Sequence, residues 1–349
     1  ALKQGAQYLL PVQMEDGSWS EDIIATSLAI LALMRLGSYQ ESCQKAGYWL
    51  LTRQYNSGGW PAFDQLKNWA MGWALCIFSE TANLKELPWL EAGVHWLRQA
   101  QNADGSYGST PPYTHPDLDD TAVALLGLKR VGMENPLGFN YLRRLQNEDG
   151  SWSTFPNFQG VPPQIASEFP VYITSVDVTI HVLEALWRPR GNQEEAFYKG
   201  LKWLLTQQQK EGEYPASWYE GNIYSTAQSL ELLGKWKFHW KQLNLTRQIF
   251  EARQKALNYI LANQQADGGW GSVVETGLAL SSVLLYSKGV PREVFDQGIK
   301  HLLQAQAANG SFKPSYRAIY AKGWNYEEPI ATALTALRAY NRYLKLYPY

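Results

Sequence analysis

Cysteine is nearly absent: Cys43 and Cys76 are the only two in 349 residues, and they sit in unrelated surroundings. Two isolated thiols make neither a disulfide framework nor a metal-ligand pattern, and they suit a reducing compartment. An excess of charge is also lacking. With 31 Lys and Arg against 32 Asp and Glu, the formal net charge is -1 and no basic stripe stands out, so nothing favours a nucleic-acid partner. No apolar run reaches about 18 residues, which excludes a simple spanning helix. The opening Ala1-Leu2-Lys3-Gln4-Gly5 is unlike a secretory signal, and the expected location is cytoplasmic. No linker or low-complexity tract divides the chain, so a single domain over 1–349 is expected.

Aromatic side chains, by contrast, are abundant: 15 Trp, 21 Tyr and 11 Phe. Part of this excess belongs to a repeat. An apolar helix is followed by Gln, three residues, Gly, one residue and an aromatic, as in Gln13, Gly17 and Trp19. The phrase returns with its glycine at Gly58, Gly105, Gly150, Gly212, Gly268 and Gly310, and its aromatic at Trp60, Tyr107, Trp152, Tyr214, Trp270 and Phe312. The spacings of 41, 47, 45, 62, 56 and 42 residues describe a helical repeat with insertions. In each unit an amphipathic helix, such as 46–53 or 255–263, precedes the punctuating Gly. A helix apolar nearly all round follows it, at 25–36, 121–131, 175–186, 225–233, 276–286 and 330–340. Two alternating helix classes imply two concentric rings: an all-α fold, an α/α toroid of about six to seven helical hairpins. The repeat Gln and aromatic are expected to close helix ends. The long segments 104–116, 151–170, 212–224 and 311–328 carry further Tyr, Phe, Trp and Pro, and loops of that length are usually functional.

Chemistry concentrates in Asp117-Leu118-Asp119-Asp120-Thr121-Ala122. A lone Asp here would only cap the helix that follows. Three carboxylates within four residues cannot all ionise cheaply, so at least one is expected to hold a proton. A protonated Asp in a dry cavity is a general acid. Clustered Asp also suits Mg²⁺, and the cluster alone leaves both readings open.

The hexapeptide resembles the Asp-x-Asp-Asp motif of class II terpene cyclases, squalene–hopene cyclases among them, and the Gln-x-x-x-Gly-x-Trp repeats resemble those of the same superfamily over nearly the whole chain. That resemblance implies protonation-initiated cyclisation of a linear polyprenyl substrate. It makes Asp119 the proton donor, with Asp117 and Asp120 holding its proton in place. Ser175-Val176-Asp177-Val178-Thr179-Ile180-His181 resembles the family's helix whose His bonds the acid, so His181 is implied to orient and acidify Asp119, and Asp177 to support the histidine or cap its helix. By the same resemblance Trp218 and Phe155 face the substrate, and Tyr224 returns a proton to the acid through water. Trp324, Tyr113 and Tyr107 are further candidates for the cavity wall, where aromatic faces stabilise carbocations. Ile24 stands where squalene cyclases carry a cavity tryptophan, and the chain is short beside two-domain members. These departures favour a prenyl diphosphate, such as farnesyl or geranylgeranyl diphosphate, over a triterpene. Squalene and meroterpenoid substrates, or a non-catalytic binding toroid, remain as alternatives. A zinc prenyltransferase on the same toroid is disfavoured, because neither cysteine has a neighbouring Asp. No cofactor is implied for the acid chemistry, and Mg²⁺ would enter only with a diphosphate. A partner domain, a second copy or a membrane surface is expected over the cavity mouth.

Overall fold

The repeats that lie among the described residues are closed by the same hydrogen bond. The repeat glutamine turns its Nε2 onto the carbonyl of the repeat glycine, at 2.8–2.9 Å for Gln13, Gln101, Gln146, Gln208, Gln264 and Gln306. The same amide reaches the next outer helix, Gln146 to the Ala196 carbonyl at 2.8 Å and Gln264 to that of Val294 at 2.9 Å. The indole N–H groups of Trp19, Trp152 and Trp270 donate back to carbonyls ten residues earlier. A further bond was not part of the repeat phrase. The backbone N–H of five of the aromatics donates to a threonine hydroxyl at the start of the following helix: Trp19 to Thr26, Tyr107 to Thr121, Trp152 to Thr179, Tyr214 to Thr226 and Trp270 to Thr276, at 2.9–3.0 Å.

The computed structural model describes residues 2–19, 23–34, 36, 39–53, 66–80, 90–109, 115–155, 174–188, 194–236, 242–313, 318–321, 324–326 and 329–348. Composition shows no boundary within the chain, yet it forms two compact units, 1–65 and 66–349. The first holds α1 (Leu2–Leu9), α2 (Ile23–Met34) and α3 (Gln40–Thr52) around a small core of Ala6, Trp19, Ala29, Leu33 and Ala46.

The second unit is a double ring. Its inner helices are α4 (Lys67–Ser79), α6 (Leu118–Arg130), α8 (Val176–Leu186), α10 (Ile223–Gly234), α12 (Val273–Val283) and α14 (Pro329–Leu346). Each packs on the next, and α14 returns to α4. Between them in sequence come the outer helices α5 (Leu90–Ala100), α7 (Pro136–Arg144), α9 (Glu195–Gln207), α11 (Leu243–Ala262) and α13 (Arg292–Ala305). Burial follows the expected division: every residue of α8 is buried, whereas α13 buries only Phe295, Gly298 and Leu302. The sequence reading counts 25–36 as an inner helix and passes over 67–79. In the structure six inner helices close the ring within 66–349, and Lys67–Ser79 holds the sixth place. A short antiparallel hairpin, β1 (Ala318–Ala321) with β2 (Trp324–Tyr326), is added to the helical plan. Among the described residues no helix is long and apolar enough to cross a membrane.

The two ends of the inner ring differ. Glu80 lies just beyond the C-terminus of α4, and it meets Arg338 at 2.8 Å and Arg342 at 3.1 Å on α14. Both arginines also reach Glu231 on α10, at 2.9 Å. Burial alone would raise the Glu80 carboxyl, but the two guanidiniums hold it well below the usual carboxylate range. The opposite end gathers the first turns of α6, α8 and α10, so these helices run in one sense.

Close approach of α4 to α6 depends on two glycines. A Cβ on Gly72 would lie 2.4 Å from the Val123 carbonyl oxygen, and one on Gly127 would lie 2.5 Å from that of Gly72. Gly72→Ala should therefore destabilise the protein by at least about 1–3 kcal/mol in denaturant titration, because two backbones must part. Gly47→Ala is the control. Its added methyl meets nothing within 4 Å in the middle of α3, so it should be neutral or stabilising by up to ~1 kcal/mol.

Candidate active site

The Thr121 latch fixes where α6 begins, and the acid cluster occupies that start. Asp117 is the N-cap, and its Oδ1 accepts from the backbone N–H of Asp119 at 2.7 Å and of Asp120 at 3.1 Å. The cap has turned Asp119 toward α8. There its Oδ1 is hydrogen-bonded to Nδ1 of His181, which is wholly buried, while the Asp119 side chain keeps 15% exposure. Nε2 of His181 lies 3.0 Å from the Tyr224 hydroxyl, in the first turn of α10. Edge-on rings hold the imidazole, Trp73 at 5.5 Å and Tyr224 at 6.1 Å. Asp117, Asp119, Asp120, His181 and Tyr224, named from sequence, are thus brought together.

Electrostatics follow from burial and crowding. Burial, then the charges of Asp117 and Asp119, push the Asp120 carboxyl well above its ordinary range. Burial and the Asp119 charge raise Asp117 as well, to about 7. One proton is therefore retained in the cluster. His181 is pulled down by burial, but Asp119, Asp177 and Glu184 outweigh this and raise it. Asp120 Oδ1 is buried with no hydrogen-bond partner among the described residues. Among the described residues no group of three His, Cys, Asp or Glu side chains converges as the ligands of one metal ion would.

Asp177 does not cap α8, whose cap is Ser175; its charge helps raise His181, and its hydrogen bonds go to a distant segment. Its Oδ2 accepts from the backbone N–H groups of Ser217 at 2.8 Å and Trp218 at 2.9 Å, and its Oδ1 accepts from the Ser225 hydroxyl. Burial raises the Asp177 carboxyl even against these donors. One buried carboxylate thus pins the Trp218 loop to the start of α10. The indole of Trp218 is fixed separately, donating to Thr154 Oγ1 at 3.0 Å. Phe155 follows that threonine and packs against the His115 ring at 5.3 Å. Tyr219 stacks on Tyr224 with ring centroids 3.6 Å apart.

Other candidates lie elsewhere. Tyr107 is fully buried, and its hydroxyl accepts from Asn135 Nδ2 at 3.4 Å, at the N-cap of an outer helix. It fills the repeat-aromatic slot as Trp152 does, a packing role that corrects its reading as a cavity residue. Tyr113 lies outside the described residues, as do 156–173 and the side chains of Trp324 and Ile24.

Sequence reasoning missed the opposite wall. A narrow cavity of about 20 Å³, space for little more than one water, is lined by Trp69, Trp73 and Ile77 of α4 with Tyr224, Gln228 and Leu278. Leu334, Thr335 and Arg338 of α14 complete it. Trp69 and Trp73 are four apart on a largely apolar helix, a visible signal that the repeat phrase did not cover.

A family model, that of the squalene-hopene cyclase C-terminal domain, matches residues 111–325. Drimenyl diphosphate synthase from Streptomyces showdoensis is 23% identical over 322 residues, covering 87% of this chain and 56% of that protein. Among solved structures, ent-copalyl diphosphate synthase from Streptomyces platensis superposes with a TM-score of 0.65 at 22% identity, over 85% of this chain and 54% of that one. The type II terpene cyclase MstE from Scytonema, solved as a variant with its substrate geranylgeranyl dihydroxybenzoate, gives 0.61 at 16% identity over 84% and 93%. The chain spans about half the length of the two Streptomyces proteins.

A pH test of the cluster follows. The folded state holds the Asp120 proton at pH values where the unfolded chain has released it, so this group costs stability as pH rises above about 4. Asp120→Asn should match wild type below about pH 4 and gain on it as pH rises. The gain should be at most about tenfold in the folding equilibrium constant per pH unit, read from urea titrations at several pH values.

Proposed function

Because the chain belongs to the squalene-hopene cyclase C-terminal domain family, we propose that it acts as a class II terpene cyclase, with Asp119 protonating the far alkene of a folded polyprenyl chain. The observation that carries this reading is the bond from Asp119 to a fully buried His181, at the N-terminal ends of three inner helices. A donor on Oδ1, helped by helix N-termini, stabilises the carboxylate left behind and so strengthens the acid. Oδ2 then carries the proton that is transferred. The π electrons of the alkene form the new C–H bond, and the Asp119 O–H electrons stay on the carboxylate. Neighbouring double bonds attack the resulting cation in turn, closing rings until a proton is lost or water adds.

The protein supplies shape, dryness and aromatic faces. Trp69, Trp73, Trp218 and Phe155 offer π faces, each worth up to about 2 kcal/mol to a desolvated cation, without the trapping risk of a fixed anion. Tyr224, bonded to His181, would return a proton to the acid through water. A prenyl diphosphate is the favoured substrate class, in line with the names of the Streptomyces relatives. Mg²⁺ would then accompany the diphosphate, and among the described residues no side-chain cluster would hold it.

Asp119→Asn should reduce cyclisation by at least about 10²-fold while the helical circular dichroism stays unchanged. Farnesyl and geranylgeranyl diphosphates, squalene and a prenylated aromatic are to be tried in turn, with cyclised products read by mass spectrometry. Activity surviving in Asp119→Asn would remove the acid from this residue. No product from any substrate with wild-type protein would favour a non-catalytic toroid.

A further inference from the structure

Thr154 is 1% exposed and belongs to no motif named above. It meets the site on two sides. Its backbone carbonyl accepts from the N–H of Leu118 at 2.8 Å, and Leu118 is the residue between Asp117 and Asp119. Its hydroxyl accepts from the indole N–H of Trp218 at 3.0 Å, across 64 residues of chain. The segment that carries it is itself held. The Trp152 carbonyl accepts from the Ser175 N–H at 3.2 Å, and Ser153 is bridged to Thr174, beside the start of α8. Thr154 is therefore fixed between the acid loop and α8.

Trp218 is gripped at both ends. Its backbone N–H is held by Asp177 at 2.9 Å, which fixes where the side chain starts. The indole N–H on Thr154 fixes where it ends. The outer torsion of a tryptophan side chain is broad and roughly two-fold, so packing alone chooses weakly between the ring and its flipped form. Turning the ring over would carry its N–H away from Thr154 and leave a half-buried donor unpaired. Without the hydroxyl, Asp177 would still hold the backbone, but the ring would lose the bond that selects its orientation. The placement of the indole relative to the acid thus runs through one residue, from Asp119 by way of Leu118 and Thr154 to Trp218.

We propose that Thr154 is a positioning residue that holds the face of Trp218 at a set place relative to Asp119, and so selects which carbon of the cyclising chain meets the indole as the cation moves. A cation is stabilised where a ring face meets it, so a fixed face favours one ring closure over its competitors. The choice of product rests on the cyclase reading above; the position of the indole does not.

Thr154→Val and Thr154→Ala remove the hydroxyl, and Thr154→Ser keeps it. In the free protein the ¹H–¹⁵N resonance of the Trp218 indole, assigned by its loss in Trp218→Phe, should exchange slowly with solvent in wild type and Thr154→Ser. It should shift and exchange faster in the other two. In turnover, products with fewer or different rings should rise about five- to tenfold relative to the main product in Thr154→Val, the worth of one hydrogen bond, while Thr154→Ser keeps the wild-type ratio. In a Trp218→Phe background, Thr154→Val should change that ratio no further. This cycle separates positioning from packing, because lost packing alone would lower stability and total turnover in both backgrounds and leave the ratio as it was. A ratio untouched by Thr154→Val and Thr154→Ala, or changed equally with and without the indole, would overturn the proposal. If wild-type protein cyclises nothing, it is the cyclase reading that falls. The indole resonance then decides alone, and one that is alike in wild type and Thr154→Val would remove Thr154 from the placement of Trp218.

Discussion

A threonine hydroxyl that accepts from the backbone N–H of the repeat aromatic, found in five repeats, makes the bond on which the rest of the architecture depends. It ties the loop that leaves an outer helix to the first turn of the inner helix that follows, at Thr121, Thr179, Thr226 and Thr276 alike. With that registration set, the inner helices begin at a common level. Their N-termini then share one end of the ring, and whatever residues occupy their first turns must meet there.

The acid site uses this levelling. Asp119 and Asp120 immediately precede Thr121, Asp177 and His181 flank Thr179, and Tyr224 is two residues before Thr226. Three ordinary latches thus bring five titratable side chains from three helices to one end of the ring, where Asp119, His181 and Tyr224 form a hydrogen-bonded chain. Crowding and burial do the rest. A proton is retained in the Asp117–Asp120 cluster, and His181 is raised by the carboxylates around it. The Trp218 loop, which lies outside the helices, needs its own anchor, and the buried carboxylate of Asp177 supplies it.

The helical repeat is legible in the chain because Gln, Gly and the aromatic each carry a bond or a turn that few other residues could make. Gly150 shows why: its φ is +101°, and a Cβ there would meet the Lys199 carbonyl oxygen at 2.6 Å. The acid and its histidine are legible through short motifs that lie within single helices. What escapes is long-range. Lys67–Ser79 enters the ring through Gly72 and Gly127, whose partnership is a matter of backbone proximity across 55 residues. Asp177 finds its hydrogen-bond partners 40, 41 and 48 residues on, and helical spacing alone shows only its neighbour His181. Tyr107 could be read from sequence as either wall or packing, and only its bond to Asn135 decides.

Arg338 is the one charged side chain among the described residues that line the Trp69 and Trp73 cavity. Left alone, it would repel any electron-poor centre approaching from the acid end. Glu80 and Glu231 answer Arg338 and Arg342 one for one, so the far wall is electrically silent. A migrating cation would therefore neither be drawn to that wall nor be turned back by it, and where it stops would be left to the shape of the hydrocarbon and the rings beside it.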